Sequence, residues 1–86
     1  MEINNLIKIV KKKICNKIKC EKISVEDKTF LHKNHSGHES NKFHLKITIE
    51  SEELRGLNKI ESNKKIYKML EVELKNHIHS LQILIN

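Results

Sequence analysis

The residue type in this chain best suited to chemistry is histidine, present at His32, His35, His38, His44, His77 and His79. Imidazole nitrogen ligates zinc, copper and iron and changes charge near neutral pH. His32, His35 and His38 recur every third residue in a polar stretch, 28–42, that also holds Ser36-Gly37. On a flexible loop such spacing fixes no geometry, so the plain reading is a solvated polar segment. Its length exceeds that of an ordinary hairpin connection, which favours a task for it. His44 shares strand parity with Lys46, Thr48 and Glu50, which reads as a surface or packing histidine. His79 opens the last apolar strand on the same face as Leu81 and Ile83, either partly buried there or at a rim that a partner can reach. His77 closes the preceding helix.

The two cysteines, Cys15 and Cys20, are too few for a disulfide framework and lack Cys-x-x-Cys spacing. They read as a core thiol and a boundary thiol in a reducing compartment. No Gly-x-Ser-x-Gly, phosphate-cradling glycine loop or His-Glu-x-x-His occurs, and Gly37 and Gly56 are the only glycines. A Cys/His hydrolase needs its cysteine in a polar cleft, whereas Cys15 lies beside the apolar stripe of a helix. The chain is therefore not expected to be an enzyme.

The elements that must position these side chains follow from periodicity. Ile3, Leu6, Ile7, Val10, Ile14 and Ile18 recur at helical spacing with lysines largely opposite, giving an amphipathic helix over 3–18. Without an aromatic anchor, that helix is read as core-packed and not as membrane-bound. Ile23 and Val25, then Phe43, Leu45, Ile47 and Ile49, alternate with polar residues and read as half-buried strands. Residues 52–55 make a helical turn stopped at Gly56. Ser62 or Asn63 is placed to cap a helix carrying Ile66, Tyr67, Met69, Leu70 and Leu74 down to Asn76, with Tyr67 committed to the core. His79, Leu81, Ile83 and Ile85 share one parity of a final strand. This order predicts one domain over 1–86, an α+β two-layer sandwich with helices on one face of a three-stranded sheet.

At 86 residues there is room for one core, and 37% hydrophobic against 33% charged residues is a folded-domain balance. The longest apolar runs fall far short of the roughly 20 residues that span a bilayer. Residues 1–20 read as neither secretory signal nor transit peptide, so the expected compartment is the cytoplasm, or the mitochondrion if a leader has been removed. The net charge of +6 points to acidic surfaces or nucleic acid, but lysine dominates and Arg55 is the only arginine, which is a composition bias more than a phosphate-reading surface.

Taken in order, Val25-Glu26-Asp27-Lys28-Thr29, His32-Lys33-Asn34-His35, Phe43-His44-Leu45-Lys46-Ile47, Glu53-Leu54-Arg55-Gly56, Ile66-Tyr67, Val72-Glu73-Leu74 and Ile78-His79-Ser80-Leu81 resemble the BolA-like family over nearly the whole chain. The resemblance implies an α-β-β-α-α-β fold similar to a type II KH domain. It also implies pairing with a monothiol glutaredoxin and a shared [2Fe-2S] cluster, in iron-sulfur cluster assembly or iron regulation. The glutaredoxin would supply its cysteine and glutathione. This chain would supply His79 and a loop histidine, His32 by best fit and His35 as the near alternative, with Asp27 or Thr29 as support. Histidine on one iron of such a cluster is chemically coherent and raises its potential. Alone, the chain is expected to be a monomer without a cofactor. One departure stands out: the family's usual Arg-His-Arg is Ser62-Asn63-Lys64 here.

The rival reading is a nucleic-acid-binding transcriptional regulator. KH domains clamp the backbone with Gly-x-x-Gly, and the corresponding Gly56-Leu57-Asn58-Lys59 has a single glycine. Aromatic stacking residues are scarce, with Phe30, Phe43 and Tyr67 the whole supply. A zinc or copper chaperone using loop histidines alone is the third reading, and such a site without a rigid scaffold would bind weakly.

Overall fold

The computed structural model describes residues 1–29 and 42–86. The loop histidines His32, His35 and His38 lie outside the described residues. The elements are α1 (Ile3–Lys17), β1 (Lys22–Asp27), β2 (Phe43–Glu50), α2 (Glu52–Arg55), α3 (Lys59–Met69), α4 (Glu71–Asn76) and β3 (Ile78–Ile85). The sheet order is β1-β2-β3. β1 runs antiparallel to β2, from Lys22 opposite Glu50 to Asp27 opposite Leu45, while β2 and β3 are parallel. The α2–α4 connection supplies the crossover that a parallel pair requires.

Apolar periodicity explains the layers. α1 has no side-chain cap at Glu2, but it buries Leu6, Val10 and Ile14 completely. Burial at about 1.5–3 kcal/mol per large apolar side chain outweighs a missing cap worth about 1 kcal/mol. These residues meet Ile47 and Ile49 from β2 and Ile66 and Leu70 from α3 and its end in one cluster. α2 is capped by Ser51, whose hydroxyl accepts from Leu54 N–H and donates to Lys19 C=O. Glu73, 6% exposed, receives both of its short contacts from Lys13 Nζ, at 2.8 and 2.9 Å, tying α4 to α1.

The structure corrects several sequence expectations. The second long helix begins at Lys59, capped by Asn58 through Glu61 N–H at 2.8 Å, so Ser62 and Asn63 are internal to it. Asn58 has Glu61 three residues on, the capping-box spacing, and its side chain takes the Glu61 N–H. That helix does not run unbroken to Asn76: Leu70 leaves helical geometry at φ −105°, ψ 19° and divides α3 from α4. Tyr67 is 41% exposed and not a core residue; its hydroxyl donates to Leu81 C=O at 2.9 Å. Cys15 is exposed and Cys20 half-buried, so neither is a core thiol. Cys15 follows the stripe residue Ile14 directly, and the next position on a helix turns away from the core.

Candidate functional site

The end of β1, the start of β2 and the start of β3 share one rim of the sheet, a consequence of one antiparallel and one parallel pairing. Thr29 and Lys42, which flank residues 30–41, follow β1 and precede β2 at that rim. Thr29 is fastened there. Its backbone N–H donates to Asp27 Oδ1 at 2.9 Å, its hydroxyl donates to the same oxygen, and its Oγ1 accepts from His44 N–H at 3.1 Å. Lys28 N–H donates to His44 C=O at 2.7 Å. Beside them Lys28 Nζ lies 2.8 Å from Glu26, and this hydrogen bond and charge hold the Glu26 carboxyl below its ordinary range.

β3 enters the rim with an irregularity. Phe43 pairs with Ile78 and His44 with Ser80, so β3 spends one residue more than β2 across this step. That extra residue is His79. Bulges re-aim side chains and break the period of two, which explains why Ile78 is buried while both His79 and Ser80 are exposed. The expectation that His79 shares a face with Leu81 and Ile83 therefore fails by one position of register. His79 stands at the rim.

Of the two roles left open for His44, surface or packing, the structure shows packing. Parity puts it among the outward residues of β2, yet it is 5% exposed. Its Nδ1 hydrogen-bonds Ser80 Oγ and its Nε2 lies 3.3 Å from His79 Nδ1. The two rings meet edge to face, with centroids 4.8 Å apart and planes at 78°. His44 is thus a buried ring behind an exposed one. Sequence reasoning named Ser80 only as part of the Ile78-His79-Ser80-Leu81 motif and gave it no contact of its own; the available signal was a hydroxyl directly after the histidine of a strand paired with β2.

Among the described residues no group of three or more histidine, cysteine or acidic side chains converges as a metal site. A metal at His79 therefore needs further ligands from residues 30–41 or from another molecule. Burial, then hydrogen bonding and charge from Cys15, push the Cys20 thiol up to about 12, which makes it a poor nucleophile. Likewise, no helix among the described residues is long and apolar enough to cross a membrane.

A family profile described as BolA-like protein matches residues 14–86. This chain belongs to the BolA-like family. The DNA-binding transcriptional regulator BolA of Vibrio cholerae is 32% identical over 75 residues, covering 87% of this BolA-like chain and 68% of that protein. Its counterpart of the same name in Haemophilus influenzae is 29% identical over 75 residues, 87% of this chain and 70% of that one. Among solved structures, the BolA domain of SufE1 from Arabidopsis thaliana superposes with a TM-score of 0.82 at 24% identity, covering 99% of this chain and 94% of that one. BolA1 from the same plant gives 0.77 at 20% identity over 92% and 87%. At such identity these two likenesses speak for the fold, an α+β sandwich with which the type II KH-like label is compatible. Within it, the BolA-like motif Ile78-His79-Ser80-Leu81 is the bulged start of β3.

Proposed function

We propose that this BolA-like chain is the partner of a monothiol glutaredoxin and holds one side of a bridging [2Fe-2S] cluster, in iron-sulfur cluster trafficking or iron regulation. The observation that carries the reading is an exposed His79, in contact with buried His44, on the rim where the entry to residues 30–41 is anchored at Thr29. The donor set suits the group, since imidazoles replace thiolates on one iron of such clusters and raise the potential. His79 would supply one nitrogen to the cluster, and His32, or else His35, the second. Asp27 and Thr29 hold that segment's entry against His44 N–H. The glutaredoxin cysteine and glutathione complete the other iron. The cluster brings redox-active, transferable iron, while the chain itself performs no catalytic step and carries no cluster as a free monomer.

The test mixes the protein with monothiol glutaredoxin, glutathione, iron and sulfide. Visible cluster absorbance with histidine character is expected only when all are present, and His32→Ala should alter it more than His38→Ala. Absorbance that is unchanged when the BolA-like chain is left out defeats the reading.

A second reading, nucleic-acid binding, draws on the names of the two bacterial relatives, both DNA-binding transcriptional regulators. At the corner that KH domains use as a clamp, Gly56 has φ −74°, and an added Cβ would meet only ordinary contacts, 3.5 Å from Glu53 C=O. Nothing there demands glycine. Sub-micromolar DNA binding that weakens steeply with salt is the result that favours this reading.

A further inference from the structure

We propose that His44 is the positioning residue of this rim: its buried ring and the exposed ring of His79 hold one common tautomer and change it together. For the 3.3 Å contact between His79 Nδ1 and His44 Nε2 to be a hydrogen bond between neutral rings, one of the two nitrogens must carry the proton and the other must be bare. A neutral imidazole has one N–H and one bare nitrogen. If the proton belongs to His79 Nδ1, then His44 carries its own proton on Nδ1 and donates it to Ser80 Oγ, and His79 Nε2 is bare. If the proton belongs to His44 Nε2, then His44 Nδ1 accepts from the Ser80 hydroxyl, and His79 has its N–H on Nε2. The serine hydroxyl serves in either direction because it both donates and accepts. Mixed tautomers would set two N–H groups or two lone pairs against each other across the gap.

The two arrangements hold equal numbers of protons. In passing from the second to the first, His79 releases its Nε2 proton to water and receives at Nδ1 the proton from His44 Nε2. His44 then takes the Ser80 hydroxyl proton at Nδ1, and Ser80 recovers one from water. Only the first arrangement leaves His79 Nε2 free to bind a Lewis acid, with His44 as the fixed acceptor behind it, the usual office of an outer partner of a metal-bound histidine. The link to iron rests on the shared-cluster reading; the coupled tautomers do not.

The experiment therefore has two arms. In the free protein, labelled with nitrogen-15 in histidine, long-range proton–nitrogen spectra are recorded where both rings are neutral. His44 and His79 should show matching tautomer fractions. His44→Gln, whose amide can accept or donate in place of Nε2, should keep His79 near its native fractions, and His44→Phe should move them to those of a free imidazole. Ser80→Ala, at an exposed position that leaves the core intact, should shift both rings together. Opposite tautomers in the native protein, or a Ser80→Ala shift confined to His44, overturns the proposal. In the second arm, with glutaredoxin, glutathione, iron and sulfide, His44→Phe should weaken cluster retention about 10-fold or more, with His44→Gln nearer to native. Matched tautomers with no cluster from the native protein would sink the shared-cluster reading and leave the coupling intact.

Discussion

The two ends of the parallel β2–β3 pair have opposite characters. At its start the ladder is bulged, polar and crowded with imidazole: His44 faces Ser80, and His79 is the residue in excess. At its far end the register is regular from Leu45 opposite Leu81 to Ile49 opposite Ile85, and Asn86 N–H continues it to Ile49 C=O at 2.8 Å. There lies a hollow of about 540 Å³, walled by Leu54, Leu57, Ile83 and Ile85 with Asn63 at its edge. The residues lining that hollow include no histidine or cysteine, whereas the rings of His44 and His79 meet at the opposite end of the pair. Ligands of open α/β sheets commonly sit beyond the carboxyl ends of the strands; the histidine pair of this sheet lies at the starts of its parallel strands. The same contrast locates the family departure, because Asn63 lies at the hollow, at the other end of β3 from His79, so it leaves the histidine rim untouched.

The sharpest way to break this contrast is His79→Ala, expected to abolish glutaredoxin-dependent cluster absorbance while thermal unfolding of the free protein barely moves. A marked loss of stability instead would recast His79 as a packing residue. Next in size, Ile47→Ala strikes the fully buried middle of β2 and should cost about 2–5 kcal/mol in denaturant unfolding, weakening both ends alike. Lys13→Ala strands the carboxylate of Glu73, whose side chain is 8% exposed, and a loss of about 1–3 kcal/mol is expected, with cluster spectra unaltered at temperatures where the fold holds. Arg55→Ala removes the 2.7 Å bond to Asn86 C=O at the far end, for which about 1 kcal/mol or less is expected and no spectral change; a bleached cluster would erase the division between the ends. Smallest of all, Cys20, its thiol pushed up to about 12, should alkylate much more slowly than free cysteine at mildly alkaline pH, as mass spectrometry over time would show.

Much of this architecture was legible because it depends on one face being apolar. The α1 stripe, the alternation of β2 and the isoleucines of β3 each state their period outright, and the elements follow within a residue or two. What escaped depends on pairwise geometry. Asn58 caps in place of Ser62 through its contact with Glu61 N–H, and both residues are good caps by type, so composition alone did not choose between them. The break at Leu70 has no proline or glycine to announce it. The bulge is a property of two strands in register, so neither strand reveals it alone, and with it went the facing of His79. His44 obeyed its parity but not its exposure: alternation tells which side of a sheet a ring takes, and says nothing of what covers that side.

The partners in the histidine contact are 35 residues apart in sequence, and the second belongs to the final strand. A chain still emerging from the ribosome, or one clipped before residue 78, has the first ring and lacks its companion. The pair therefore comes into being only when β3 has docked beside β2, so that the contact between the two rings reports the closing of the parallel pair.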